Sequence, residues 1–264
     1  MSDSLRRPLF FSGSRPAGPR GHRAYVVGDV HGRLDLLELL LEHIEADVRA
    51  DPKRKISIVF LGDLVDRGPS SAEVVERLRT FRPSFATTHF LMGNHEEVFL
   101  RILDGDASLI PSWLRFGGAE TLASYGLDAG ELARAGDAEA VSRLRQAVPE
   151  AHSAFISTFA DTVSFGDYLF VHAGVRPGVE LSEQSKADLR WIREPFLNDK
   201  SERNYVVVHG HTIRPDVEIT PNRIGIDTGA FYTGVLTALA IEGDRCWSIQ
   251  TGEEKVRGEP LSPA

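Results

Sequence analysis

The amino-acid sequence predicts an α/β fold of two stacked mixed β-sheets with helices on their outer faces, and three observations carry that expectation. Short apolar runs end in glycine and a polar side chain, as in AYVVGD at 24–29, ISIVFLGD at 56–63 and FLMGN at 90–94. Between the first two runs, Leu36, Leu37, Leu40, Leu41 and Ile44 recur at helical spacing, and about 30 residues separate the two Gly-Asp pairs, which suits a right-handed βαβ crossover. The second half is a series of short β-type runs (TVSF, YLFVHA, YVVVHG, RIGID, VLTALAI and CWSIQ) separated by turn residues, so a second sheet can stack on the first.

Taken in order, residues 1–22 are rich in Arg, Pro, Gly and Ser without periodicity and read as a flexible N-terminal segment. A strand over AYVV leads into a helix near 34–50, and a buried strand at 56–61 leads through GDLVDRGPS into a helix over 71–81, with Ser70 or Ser71 as its N-cap. A third strand near 88–92 meets GNHE and another helix. Residues 100–160 read as mostly helical, broken at Gly117-Gly118, Gly126 and Gly136, and form an inserted cap expected to gate access. One helix near 182–192 interrupts the strands that follow. The domain thus spans 23–252, and 253–264 form a C-terminal tail.

With 264 residues, 42% of them hydrophobic, the chain can bury the core of one large domain. No apolar run approaches the roughly 20 residues of a membrane helix and no signal-type run opens the sequence, so a cytoplasmic protein without a membrane partner is expected. A single cysteine, Cys246, excludes an internal disulfide framework and a thiolate cluster, which leaves histidine, carboxylate and amide as metal ligands. The net charge of -8 argues against nucleic acid as a partner. Oligomeric state is not legible.

In an α/β fold the loops leaving the carboxyl ends of parallel strands share one edge, so motifs distant in sequence meet there. That rule gathers Asp29 and His31, Asp63, Asn94, His172, and His209 or His211. Residues 209 and 211 would point the same way on a continuing strand, so spacing leaves that choice open. Mixed nitrogen and oxygen donors suit Mn²⁺, Fe or Zn²⁺ better than Mg²⁺. Five or six ligands exceed what one open ion needs, so two divalent ions about 3.5–4 Å apart are expected, with Asp63 as the bridge. Arg67 and Arg193 can fork onto phosphate oxygens, His95 can protonate a leaving oxygen, and Asp66 can orient and charge that imidazole. Asp227 is expected to organise the loop beneath the site, and Phe231 and Tyr232 to border the substrate. His22, His43, His89 and His152 lack a motif and read as structural or solvated.

GDVHG, GDLVDRG, GNHE, VHAG and HGHT, in this order, resemble the phosphoprotein phosphatase family of metallophosphoesterases, its bacterial and phage branch more than the eukaryotic enzymes. The resemblance runs from Tyr25 to Trp247 and implies a calcineurin-like four-layer fold. It also implies one metal on Asp29, His31 and Asp63 and the other on Asp63, Asn94, His172 and His211, with Mn²⁺ the first choice. Arg67 and Arg193 then match the phosphate clamps, and His95 and Asp66 the acid and its partner. The implied chemistry is direct in-line attack of a metal-bridging hydroxide on phosphoserine or phosphothreonine, and on phosphotyrosine as a further substrate, in a phosphorylated protein or peptide. Where eukaryotic members carry a SAPNYC-type loop, this chain has IDTGAFYTG at 226–234, so regulatory-subunit binding and toxin inhibition do not carry over. Dinucleoside tetraphosphatases are the alternative; they share GDVHG and a DTG stretch but read GDLVARG and GNHD, and Asp66 favours the phosphatase.

Overall fold

The computed structural model describes residues 7–9 and 16–252. In chain order, the first elements are β1 (Arg7–Leu9), β2 (His22–Val27), α1 (Leu34–Ala50), β3 (Lys55–Phe60), α2 (Ser71–Thr80), β4 (Ala86–Phe90) and α3 (Asn94–Asp104). The cap follows as α4 (Ile110–Trp113), α5 (Ala119–Ser124), α6 (Ala129–Arg134), α7 (Asp137–Ala147) and α8 (Glu150–Ser157). The rest comprises β5 (Thr162–Phe165), β6 (Tyr168–Val171), α9 (Lys186–Trp191), β7 (Val206–His209), β8 (Glu218–Ile219), β9 (Arg223–Gly225), α10 (Ala230–Thr233), β10 (Thr237–Glu242) and β11 (Arg245–Gln250).

Two sheets form, one in the order β1-β11-β10-β2-β3-β4 and one in the order β5-β6-β7-β9-β8. Both are mixed: β2, β3 and β4 run parallel, as do β6, β7 and β9, while the outer strands pair antiparallel. The period-2 alternation explains the layering. Ala24 and Val26 of β2 face Phe170, Val208 and Ile224 of the other sheet, whereas Tyr25 and Val27 face Leu37, Leu40 and Ile44 of α1. On the far side, Leu169 and Val207 pack with Leu189 and Phe196. The result is a four-layer helix, sheet, sheet, helix arrangement, in which each fully buried Val, Leu, Ile or Phe contributes roughly 1.5–3 kcal/mol.

The cap is not a detached lid. Trp113, Leu122, Leu144 and Ile156 belong to the same apolar cluster as Phe99 and Ile102 of α3 and Val75 of α2, so this insertion shares the body's core. Gly105 (φ 118°) ends α3 and Gly126 (φ 77°) follows α5, both left-handed positions that glycine adopts without strain. Neither serine caps α2 as expected: Ser70 precedes the helix with no side-chain cap, and the hydroxyl of Ser71, its first residue, accepts the amide of Asp66 (3.0 Å).

The composition of residues 1–22 suggests a flexible segment, yet the described part of it is held. Arg7–Leu9 pair with β11, the amide of Ala17 donates to Asp167 (2.9 Å), and that of Gly18 donates to the Gly243 carbonyl (2.8 Å). An edge strand offers unpaired backbone groups that recruit a neighbour whatever its local composition. The rest of that segment and the tail at 253–264 lie outside the described residues. Among the described residues no helix is long and apolar enough to cross a membrane.

Candidate dinuclear metal centre

The carboxyl ends of all six parallel strands open onto one edge. There β2 delivers Asp29 and His31, β3 delivers Asp63, Asp66 and Arg67, β4 delivers Asn94 and His95, β6 delivers His172, β7 delivers His211, and β9 delivers Asp227. Five non-glycine residues have positive φ among the described residues: His31 (46°), Asp63 (49°), Asp66 (72°), Arg67 (70°) and His211 (61°). All five belong to the expected constellation. Each left-handed turn costs on the order of 1–3 kcal/mol and persists only where the surroundings over-determine it, which marks this edge as functional.

Asp63 lies at the centre. Its Oδ2 is 3.4 Å from His172 Nε2 and 3.7 Å from His31 Nε2, and its Oδ1 accepts the amide of His95 (3.1 Å). Donor atoms of Asp63, His31 and His95 form one compact group, and those of Asp63, His172 and His211 a second. The two groups share Asp63. His95 belongs to the first only by proximity, because both its ring nitrogens are engaged: Nδ1 with Asp66 Oδ2 (2.6 Å) and Nε2 with Arg67 Nη2 (3.1 Å).

The donor set fits cations. His31 and His172 each donate Nδ1–H to a backbone carbonyl, of Val65 (2.8 Å) and Leu61 (2.9 Å), which turns both Nε2 atoms toward Asp63. His172 Nε2 also lies 3.0 Å from Asn94 Oδ1; burial opposes protonation of this ring, but Asp63 outweighs it and raises its pKa, so a proton or a cation belongs between His172 and these two oxygens. His31 Nε2 and Asp29 Oδ1 are buried with no hydrogen-bond partner. A buried polar atom left unsatisfied costs roughly 1–3 kcal/mol, a cost that metal ligation removes.

The electrostatics agree. Burial, then Asp227 and Asp63, hold the Asp29 carboxyl well above its usual range, as expected of acids crowded without their counter-ion. Burial opposes ionisation of Asp63, but His172, His95 and His31 outweigh it and hold its carboxyl low. Burial, reinforced by His172, lowers His211 to about 3, so its imidazole is a neutral donor. Mixed oxygen and nitrogen donors without sulfur exclude a soft-metal site.

Backbone geometry sends the two histidines of HGHT to different places. His209 ends β7 on the side of Val207, its ring edge-on to Phe196 (centroids 5.1 Å apart) in the outer layer. The left-handed turn at His211 breaks the strand alternation and brings that ring to 5.1 Å from His172. Arg193, exposed beyond α9, donates to the His211 carbonyl (3.4 Å), and Arg67 lies over the Phe231 ring (4.8 Å). Phe231 in turn meets His31 edge-on at 5.6 Å, and Tyr232 is exposed. Asp227 accepts the amide of Gly229 (2.9 Å), which holds the loop; burial drives its carboxyl up to about 6.

Sequence reasoning names Glu96 only as a letter of GNHE, yet the structure gives it a distinct task. Its fully buried carboxylate accepts the amides of Asp63 (2.7 Å), Leu64 (2.7 Å), Val65 (3.2 Å) and Gly93 (3.1 Å). It thereby clamps the Asp63 turn to the start of α3. Glu96→Gln puts an amide donor among those N–H groups and is expected to weaken Mn²⁺ binding about 10–100-fold, the usual cost of losing a partner behind a ligand. Calorimetric titration with Mn²⁺ checks this, and unchanged affinity would show that the turn holds without Glu96. Trp113 and Thr121 were also not foreseen: Asp66 Oδ1 accepts from Thr121 Oγ1 (2.6 Å) and from Trp113 Nε1 (3.0 Å).

A family model described as calcineurin-like phosphoesterase matches residues 22–230. Serine/threonine-protein phosphatase 1 of Salmonella typhimurium is 30% identical over 227 residues, covering 83% of this chain and 91% of its own. A protein named bis(5'-nucleosyl)-tetraphosphatase, symmetrical, of Dechloromonas aromatica is 25% identical over 293 residues, covering 85% of this chain and 95% of its own. Among solved structures, a cold-active protein tyrosine phosphatase superposes with a TM-score of 0.58 at 17% identity, covering 93% of this chain and 86% of that one, a likeness of fold alone.

Proposed function

The chain belongs to the calcineurin-like phosphoesterase family and is a phosphoesterase hydrolase, and from that premise we propose that it is a metal-dependent phosphoprotein phosphatase acting on phosphoserine and phosphothreonine in proteins or peptides, with phosphotyrosine as a further substrate. Asp29, His31 and Asp63 would hold one divalent cation, and Asp63, Asn94, His172 and His211 the other, with Mn²⁺ the first choice. Bound there, the pair supplies charge neutralisation and a water of lowered pKa.

The observation that supports this substrate class best is the buried Asp66–His95 pair, 2.6 Å apart. A serine alkoxide is a poor leaving group and must be protonated as the P–O bond breaks, whereas a nucleotide leaving from a polyphosphate needs no such help. His95 is built for that proton. Burial alone would lower its pKa, but Asp63 and Asp66 outweigh it and raise the value, which favours the charged, proton-donating ring. In the structure Arg67 donates to His95 Nε2, a bond that only a ring with a free Nε2 lone pair accepts. A phosphate ester drawing Arg67 onto its oxygens frees that nitrogen to take a proton from solvent water and pass it to the ester oxygen, which returns the ring to its neutral form. Arg193, on the His211 side, closes on the phosphate from the other flank.

The relative named as a tetraphosphatase keeps a second reading in view, hydrolysis of diadenosine tetraphosphate or another nucleotide. A panel at saturating Mn²⁺ separates them. Phosphoserine and phosphothreonine peptides should give the higher kcat/KM, and faster turnover of diadenosine tetraphosphate would reverse the assignment.

A further inference from the structure

The Asp66 carboxylate is fully buried, and its two oxygens receive donors from two separate parts of the chain. From the body comes His95 Nδ1 (2.6 Å to Oδ2). From the cap come Thr121 Oγ1 (2.6 Å to Oδ1) and Trp113 Nε1, which bisects the group at 3.0 Å from both oxygens. The Asp66 amide completes the arrangement by donating to Thr121 Oγ1 (2.9 Å) and Ser71 Oγ (3.0 Å). Thr121 thus grips this left-handed residue by backbone and side chain together. Both cap residues are themselves immobilised: Trp113 and Thr121 are buried, the indole lies against Phe99 with centroids 5.9 Å apart, and a Cβ at Gly118 would lie 2.3 Å from the indole.

A single carboxylate bond to Nδ1 leaves an imidazole free to rock about that bond. Fixing the carboxylate's plane fixes the ring's plane, and therefore the direction of the opposite nitrogen. Resting on the reading of His95 as the leaving-group acid, we propose that Trp113 and Thr121 are positioning residues for that acid, so that the cap is a working part of the proton-delivery device. Neither reaches the phosphate. Their effect passes through Asp66 into the direction of His95 Nε2, and only a leaving group that needs a proton should register it.

The test compares kcat and KM on a phosphoserine peptide and on p-nitrophenyl phosphate, whose leaving group needs little protonation, at saturating Mn²⁺. The full-length variants are Trp113→Phe, Thr121→Val and Thr121→Ser. Trp113→Phe and Thr121→Val should each lower kcat on the phosphoserine peptide about tenfold, a part of the roughly 10²–10⁴-fold that such an acid supplies. KM, and kcat on p-nitrophenyl phosphate, should stay within about twofold of the unsubstituted protein. Thr121→Ser retains the hydroxyl and should restore the rate. Thr121→Val changes one group at constant shape, so it carries the test even where loss of indole volume lowers the melting temperature. Equal losses on both substrates, or none on either, overturn the proposal. His95→Asn run in parallel separates the failures: without its own substrate split, the acid reading falls and takes the proposal with it. A His95 split without a Trp113 or Thr121 split overturns the positioning role alone.

Discussion

Asp63→Asn is expected to lower turnover of every phosphate ester about 10³-fold or more, equivalent to roughly 4 kcal/mol of barrier. Asp63 is the one carboxylate common to both candidate cation groups. Its Oδ2 faces His172 at 3.4 Å and His31 at 3.7 Å, so a single oxygen serves two sets of nitrogen donors. Asparagine preserves shape and can still accept the His95 amide through its carbonyl oxygen, but its second atom is an NH₂ that repels a cation. Metal content should fall below two equivalents per chain alongside the rate. Kinetics on p-nitrophenyl phosphate with elemental analysis of the same sample checks both, and two retained ions with near-normal turnover would remove Asp63 from the bridging position.

His95→Asn should give the second large effect, and its signature is selectivity. On a phosphoserine peptide kcat is expected to fall about 10²–10⁴-fold, against less than about tenfold on p-nitrophenyl phosphate. The sign of the pH dependence follows. Burial pulls the imidazole's pKa down, but Asp63 and Asp66 raise it above its ordinary value, and an acid works in its protonated form. The phosphoserine rate should therefore fall as pH rises through that raised pKa, and the aryl phosphate should lack this limb. A matching basic limb on both substrates would assign the titration to another group.

Much of this site is legible in the sequence because its geometry is one-dimensional at the start. A buried strand has a period of two, a glycine stops it, and the next polar side chain must sit at the sheet edge, so Asp29, Asp63 and Asn94 could be placed by spacing. Spacing could not separate His209 from His211, because the two rings diverge through one left-handed φ after β7. Trp113 and Thr121 escaped for a different reason. They lie 47 and 55 positions from Asp66, at apolar-face positions of short cap helices, where core packing accounts for them fully until the cap is seen to fold back. Glu96 did leave a signal: it falls three residues before Phe99 on the buried face of α3, where a carboxylate needs donors to be there at all. The pairing of Arg7–Leu9 with β11 left none, since an open sheet edge, not the composition of the segment, calls it in.

Electron paramagnetic resonance of the protein titrated with Mn²⁺ asks most directly whether two cations share Asp63. An exchange-coupled multiline spectrum that saturates at two equivalents per chain, and that Asp63→Asn abolishes, is the predicted result. A plain six-line spectrum from one bound ion, or from two that do not couple, would contradict the shared centre.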